Sequence, residues 1–134
     1  MNRTFVIIKP DAVAAGQAGL ILAAYEEAGL TIEAMELRRI DGAFSDRHYE
    51  AHVGRDFYPS LREFMTSGPL VAMVLSGEGA VQRVRDLNGA TDPASAEAGT
   101  LRARFGTTVQ RNVVHGSDSD ASAEAEIALW FPGL

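Results

Sequence analysis

The chain has 134 residues, a hydrophobic fraction of 46%, no cysteine and a formal net charge of -6. Its length fits a single domain over residues 1–134, and that hydrophobic fraction excludes a disordered chain. The missing cysteines exclude disulfides and thiolate metal sites, and the acidic balance argues against nonspecific nucleic-acid or membrane-surface binding.

In chain order, Thr4 to Ile8 is an apolar run bounded by Lys9-Pro10 and predicts a buried strand. Asp11 to Gly19 predicts a turn leading into a helix, where Leu20, Ile21, Ala24 and Ala28 recur at helical spacing and Gly29 supplies a stop. Thr31 to Ile40 alternates apolar and charged residues, which predicts a strand with one wet face and an irregularity near Met35. Ser45 is placed to cap a short helix carrying His48, Tyr49 and His52. Ser60 and Glu63 match a capping box that opens a helix through Leu61, Phe64 and Met65. Leu70 to Leu75 predicts a second buried strand. Gly77-Glu78-Gly79 then turns into a helix with Val81, Val84 and Leu87 inward and Arg85 facing away. Residues 88 to 112 carry little periodicity beyond a helical turn at Thr100 to Phe105, and an internal loop of that length is usually functional. Val113 to His115 predicts a brief strand and Ser122 to Phe131 a closing helix, with Ile127, Trp130 and Phe131 on one face. This order predicts an α+β fold of ferredoxin-like βαββαβ type: an antiparallel sheet with helices packed on one face and a long loop before the last strand. No run is apolar and long enough to span a bilayer, and no secretory leader pattern is visible, so a soluble, cytoplasmic protein is expected.

Two positions stand out chemically. Lys9 is the only lysine; every other basic side chain is arginine, which marks Lys9 as a place for a compact, flexible ammonium and not a planar fork. His115 ends a short apolar strand, beside Gly116, which lets the backbone turn tightly, and Ser117, Asp118 and Ser119, which can fix it through side-chain hydrogen bonds. With no cysteine, no Gly-x-Ser-x-Gly elbow, no P-loop and no zinc-helix motif, His115 is the best nucleophile available. Its ordinary structural reading is a core or turn histidine satisfied by Ser117. His48 and His52 are four residues apart, a metal-chelating spacing, but without an evident third ligand they read as a solvated helix face.

The segment Asn112-Val113-Val114-His115-Gly116-Ser117-Asp118-Ser119 resembles the active-site signature of the nucleoside diphosphate kinases. The resemblance extends through Thr4 to Val13, Phe57-Tyr58-Pro59 with Phe64, Met65 and Ser67-Gly68-Pro69, Gly89-Ala90-Thr91-Asp92-Pro93, Gly99-Thr100-Leu101-Arg102 and Glu126 to Phe131. These segments arrive in family order and cover essentially the whole chain.

The resemblance implies ping-pong transfer of the γ-phosphoryl of a nucleoside triphosphate to a nucleoside diphosphate through a phosphohistidine at His115, with Mg²⁺ arriving on the nucleotide and no protein metal site. It assigns catalytic roles to His115, Lys9, Tyr49, Glu126 and Ser117: Tyr49 steadies the phosphohistidine, Glu126 orients the imidazole, and Lys9 serves the sugar hydroxyl and the moving phosphoryl. Arg85, Thr91 and Arg102 would hold the phosphates, Asn112 the ribose, and Phe57 and Val109 the base. His52 and Arg55 could also reach the phosphates. It further implies a homo-oligomer, a hexamer favoured over a tetramer, with no specific nucleic-acid or membrane partner. Each residue also has an ordinary reading: Phe57 as core, Arg85 as solvated, Arg102 paired with Glu97, Tyr49 as helix packing, Glu126 as a charge favoured at a helix N-terminus.

Four positions depart from the family pattern: Asp56 stands where proline is common, Asp92 where asparagine is common, and Ala103-Arg104 where Gly-Asp is common. The last reverses a charge beside Arg102, so catalysis is expected to survive and assembly contacts to differ. The competing expectations are a noncatalytic ferredoxin-like nucleotide-binding regulatory module, an RNA-binding module, which would want a basic face and exposed strand aromatics, and a phosphocarrier charged by a partner protein, which would not need Lys9, Phe57, Arg85 and Arg102 arranged around a whole nucleotide.

Overall fold

A computed structural model describes residues 2–134. Four strands, β1 (Asn2–Ile8), β2 (Thr31–Arg38), β3 (Leu70–Gly77) and β4 (Val114–Gly116), form one sheet in the order β2-β3-β1-β4. All three pairings are antiparallel. Seven α-helices connect them: α1 (Pro10–Ala14), α2 (Ala18–Glu27), α3 (Gly42–His48), α4 (Tyr58–Met65), α5 (Ala80–Asn88), α6 (Leu101–Phe105) and α7 (Asp120–Trp130). The topology is the ferredoxin-like one expected.

The helices, however, cover both faces of the sheet. Val6, Ile8, Met73 and Leu75 pack against Ile21, Tyr25, Ala80 and Val84 of α2 and α5. Phe5, Ile7, Ala72 and Val74 pack against Tyr49, Tyr58, Phe64, Met65, Ile127 and Trp130. The reason lies in β1 and β3: consecutive residues of each are apolar and buried, so neither face of the two central strands can be left wet. Only β2, at the sheet edge, keeps the wet character read from its alternation, and Met35 and Leu37 there are exposed.

Several local expectations shift. The irregularity in β2 falls between Ile32 and Ala34, and Glu33 there accepts a hydrogen bond from Ser76 Oγ at 2.7 Å. Asp41, and not Ser45, caps α3, its carboxylate accepting from the Phe44 N–H at 2.8 Å. Ser45 is buried inside that helix, 2.9 Å from the Tyr58 hydroxyl. Helix α4 starts before the Ser60 capping box, with Pro59 in its first turn, where a missing N–H costs nothing. Ser119, accepting from the Ser122 N–H, starts α7 ahead of Ser122.

Candidate active site

The candidate cleft is built where β1 and β4 end side by side. Ile7 and Ile8 pair with His115 and Val114, so the chain leaves β1 at Lys9 directly beside the approach to His115. The Lys9 N–H donates to the Val113 carbonyl at 2.8 Å, and Lys9 Nζ donates to Asn112 Oδ1, also at 2.8 Å. Asn112 Nδ2 in turn donates to the Thr91 carbonyl at 3.0 Å, tying the long loop to both strands. Between Asn112 and Val114 the backbone makes a three-residue turn, with the Val114 N–H on the Asn112 carbonyl at 2.9 Å and Val113 at φ 68°. A β-branched residue in the left-handed region is strained. The buried Val113 side chain and the Lys9 bond hold it there, which lets Asn112 face Lys9 while His115 re-enters the sheet.

His115 is gripped at one nitrogen. Its Nε2 lies 3.1 and 3.2 Å from the two carboxylate oxygens of Glu126 on α7. Glu126 also accepts from Ser117 Oγ at 2.6 Å. With Nε2–H donating to the carboxylate, the lone pair that the ring can offer is on Nδ1, the nitrogen nearer the main chain. Ser117 therefore bonds the carboxylate and not the imidazole, and its own oxygen accepts from the Phe5 N–H at 3.2 Å, anchoring the group to β1.

Gly116 serves a different purpose from the tight turn expected. It lies within β4 opposite Val6, and its φ is not positive. A Cβ there would meet Val84 Cγ1 at 2.9 Å and Asn88 Nδ2 at 3.0 Å, so the glycine lets α5 pack directly on the catalytic strand. Gly116→Ala is expected to destabilise the protein by about 1–3 kcal/mol through overpacking. It should also lower transfer, because β4 must move with His115 on it. Chemical denaturation together with nucleotide-exchange assays would show both losses; parent-like values would remove the packing argument.

The cleft has a volume of about 1260 Å³ and brings together His115, Lys9, Tyr49, Glu126, Phe57, Arg85, Thr91, Arg102, Val109 and Asn112. Of the expected site residues only Ser117 lies behind the surface, fully buried. Arg102 does not pair with Glu97; its guanidinium donates to the carbonyls of Gly89 and Val114, each at 2.8 Å, while its buried Nε finds no partner. Burial, with Arg85 nearby, pulls its pKa down. Arg85 reaches in from α5 and donates to the Asp118 carbonyl at 3.0 Å. Burial, then the charge of Arg102, lowers Lys9 from 10.5 to about 8, against a raising influence of Asp11. An acidic chain thus lines one cleft with three cations, Lys9 buried, Arg102 half-buried and Arg85 exposed. At the outer end Phe57 and Val109 are exposed at 48% and 56%, so Phe57 is not core. His52 lines the same cleft, whereas Arg55 lies over the Phe57 ring at 5.6 Å. Burial of the Tyr49 hydroxyl, with Glu126 nearby, pushes its pKa up, so it remains a neutral phenol.

His48 was expected on a solvated helix face, and it is not there. Its Nδ1 accepts from Trp130 Nε1 at 3.0 Å, and its ring meets that of His115 edge to face at 5.0 Å between centroids. Burial lowers its pKa well below 6.5, with His115, Lys9 and His52 adding to the effect. His48, His115 and Glu126 form the one grouping of three metal-donor side chains among the described residues, with donor atoms within 4.8 Å of one another. Their hydrogen bonds already commit them: the Trp130 N–H occupies Nδ1 of His48, and Glu126 serves His115 and Ser117.

The sequence model of the nucleoside diphosphate kinases matches residues 2–134. A nucleoside diphosphate kinase from a Nocardioides species is 58% identical over 132 residues, covering 98% of this chain and 98% of that protein. Among solved structures, the Aquifex aeolicus nucleoside diphosphate kinase superposes with a TM-score of 0.96 at 41% identity, covering 98% of this chain and 96% of that one. A halophilic nucleoside diphosphate kinase from Halobacterium salinarum, solved in complex with CDP, gives 0.95 at 42% identity over 97% of this chain and 87% of that one. With its histidine, carboxylate and cations gathered in one cleft, and with likeness running from end to end, the chain belongs to the nucleoside diphosphate kinase family.

Proposed function

We propose that this kinase works by ping-pong transfer through Nδ1 of His115. The observation that carries the reading is the Glu126 grip on Nε2, which leaves Nδ1 as the nucleophilic nitrogen beside the cationic end of the cleft. In the first half-reaction Nδ1 attacks the γ-phosphorus of a nucleoside triphosphate. The N–P bond forms, the bond from phosphorus to the β–γ bridging oxygen breaks, and the nucleoside diphosphate leaves with that electron pair. In the second, an oxygen of the terminal phosphate of another nucleoside diphosphate attacks the phosphohistidine, and Nδ1 is released.

Such transfer depends on positioning and charge neutralisation more than on further covalent chemistry. Arg85, Arg102 and Thr91 hold the phosphates, Lys9 follows the moving phosphoryl and meets the sugar, Asn112 serves the ribose, and Tyr49 donates to the phosphohistidine. Phe57 and Val109 hold the base by its faces, which every base presents. The substrate is the divalent-cation complex of the nucleotide, and we assign Mg²⁺. The committed hydrogen bonds of His48 and Glu126 fit a metal carried on the phosphates and not a resident one. We further place one kinase domain on residues 1–134, in the cytoplasm. No helix among the described residues is long and apolar enough to cross a membrane. A homo-oligomer, a hexamer before a tetramer, fits the unpaired edge of β2 with Met35 and Leu37 exposed along it.

The test is direct. With Mg²⁺ and γ-labelled ATP the protein should become labelled in an acid-labile, alkali-stable form, and GDP or CDP should discharge it. A ternary-complex mechanism, with no label on the protein, would overturn the reading.

A further inference from the structure

We propose that Ser60 and Gln110 form a clasp beside the cleft that joins α4 to the long loop, holds Phe57 and Val109 at a fixed separation, and so determines how strongly a nucleotide base is gripped. The proposal rests on reading Phe57 and Val109 as the base slot.

The two lips come from distant parts of the chain. Phe57 stands at the start of α4, and Ser60 follows within the same helical turn. Val109 and Gln110 are neighbours in the closing stretch of the long loop. Ser60 Oγ donates to Gln110 Oε1 at 2.9 Å, and Gln110 Nε2 donates back to the Ser60 carbonyl at 3.3 Å and lies 3.2 Å from its hydroxyl. One amide therefore contacts the hydroxyl and the carbonyl of one residue, which fixes orientation as well as distance.

The loop lip carries hydrogen bonds of its own. On the loop side, the N–H groups of Thr107 and Thr108 donate to the Arg111 carbonyl at 2.9 and 3.4 Å, and the Arg111 N–H donates to Thr108 Oγ1 at 3.0 Å. The Arg111 guanidinium covers the Phe64 ring of α4 at 4.9 Å, which anchors the base of the turn but not its tip. At the tip, Val109 is exposed, as is Phe57 opposite, so neither is held by core packing. The clasp is what joins the tip to α4. A slot already set at its bound width avoids the cost of ordering two independent lips when the nucleotide arrives. Because the lips touch base faces, the benefit should be alike for purines and pyrimidines. The clasp shares no residue with His115, Ser117 and Glu126, so it acts on binding and not on the transfer step.

Gln110→Ala, Ser60→Ala, the double variant and Ser60→Thr would be compared for dissociation constants of ADP, GDP and CDP. Inhibition by inorganic tripolyphosphate, which has no base, and the phosphoenzyme formation rate at saturating ATP complete the set. Either alanine variant should weaken all three nucleotides roughly three- to tenfold, the loss of one or two exposed hydrogen bonds and of preorganisation. Tripolyphosphate inhibition and the saturated rate should hold. The double variant should be no worse than the weaker single one, since both remove one contact, and Ser60→Thr should restore parent affinity. Unchanged nucleotide affinity in both alanine variants would overturn the clasp, as would equal weakening of tripolyphosphate. Phe57→Ala separates the two claims. If it weakens nucleotides while the clasp variants do not, the slot stands and the clasp falls; if it changes nothing, both fall.

Discussion

His115→Ala is expected to abolish phosphoenzyme formation and to lower nucleotide exchange by at least ~10⁴-fold, the scale on which removal of a sole nucleophile acts. No other side chain in the cleft can take over. The chain has no cysteine. His48 is committed through Nδ1 to Trp130, and burial keeps its basicity low. The Ser117 hydroxyl is fully buried and donates to Glu126. His52 lines the cleft but lacks a carboxylate holding its ring in place. Nucleotide affinity should survive, because Arg85, Arg102, Thr91, Phe57 and Val109 are untouched. The variant should therefore bind ADP within a few-fold of the parent while transferring nothing, which separates loss of chemistry from loss of fold. Label persisting on the alanine variant would show that another residue carries the phosphoryl group.

This arrangement distinguishes the enzyme from a noncatalytic nucleotide sensor, a phosphocarrier and an RNA-binding module. A regulatory sensor needs the cations and the base slot but gains nothing from a histidine held at one nitrogen. A phosphocarrier needs the histidine but not Phe57 and Val109. An RNA-binding module would present aromatics on exposed strands, whereas Phe5, on a central strand, lies in the core. Only a kinase acting on a whole nucleotide uses every element of the cleft.

Much of this was legible in the residues themselves. The apolar runs of β1 and β3 located the centre of the sheet, and the lone lysine and the lone strand-end histidine marked two chemical positions that the fold brings side by side. The roles proposed for the arginines, Asn112, Thr91 and Phe57 rest on family resemblance, because each depends on long-range contacts that no local pattern encodes. His48 was misread for the same reason. Four-residue spacing puts His48 and His52 on one helix face only if one helix carries both, but α3 ends at His48, His52 lies in a separate helical turn, and Trp130, 82 positions on, donates to His48. Gly116 was misread because glycine's two uses, a special backbone angle and close approach of a neighbour, look identical in sequence. The burial of both sheet faces could have been inferred: Phe5-Val6-Ile7-Ile8 leaves no polar side to face water. Val113 gave no warning of strain, since valine before a strand-end histidine reads as ordinary strand.

Lys9→Met should separate function from stability, moving them in opposite directions at neutral pH. The ammonium is 7% exposed and lies near Arg102. Its pKa falls from 10.5 to about 8 on folding. Below pH 8 both the folded and the unfolded chain carry the charge, and the fold bears the full cost of burying it, about 3 kcal/mol for a shift of this size. Between about 8 and 10.5 the folded protein has released a proton that the unfolded chain still holds, so stability rises with pH across that window. Methionine, of similar volume and uncharged, should remove that rise. The stability gap between variant and parent should thus be larger at pH 7 than at pH 10.5 by about 3 kcal/mol. The lost bond to Asn112 Oδ1 shifts both ends of that comparison alike. Transfer should move the other way: loss of the cation proposed to follow the moving phosphoryl is expected to reduce kcat/KM by roughly 10²–10³. In the parent, kcat/KM should decline above about pH 8 as Lys9 deprotonates in the free enzyme. The kcat should stay level to higher pH, because bound phosphates favour the ammonium. Denaturant unfolding at the two pH values and pH–rate profiles of both proteins would test this, and a decline above pH 8 that persists in the methionine variant would assign that ionisation to another group.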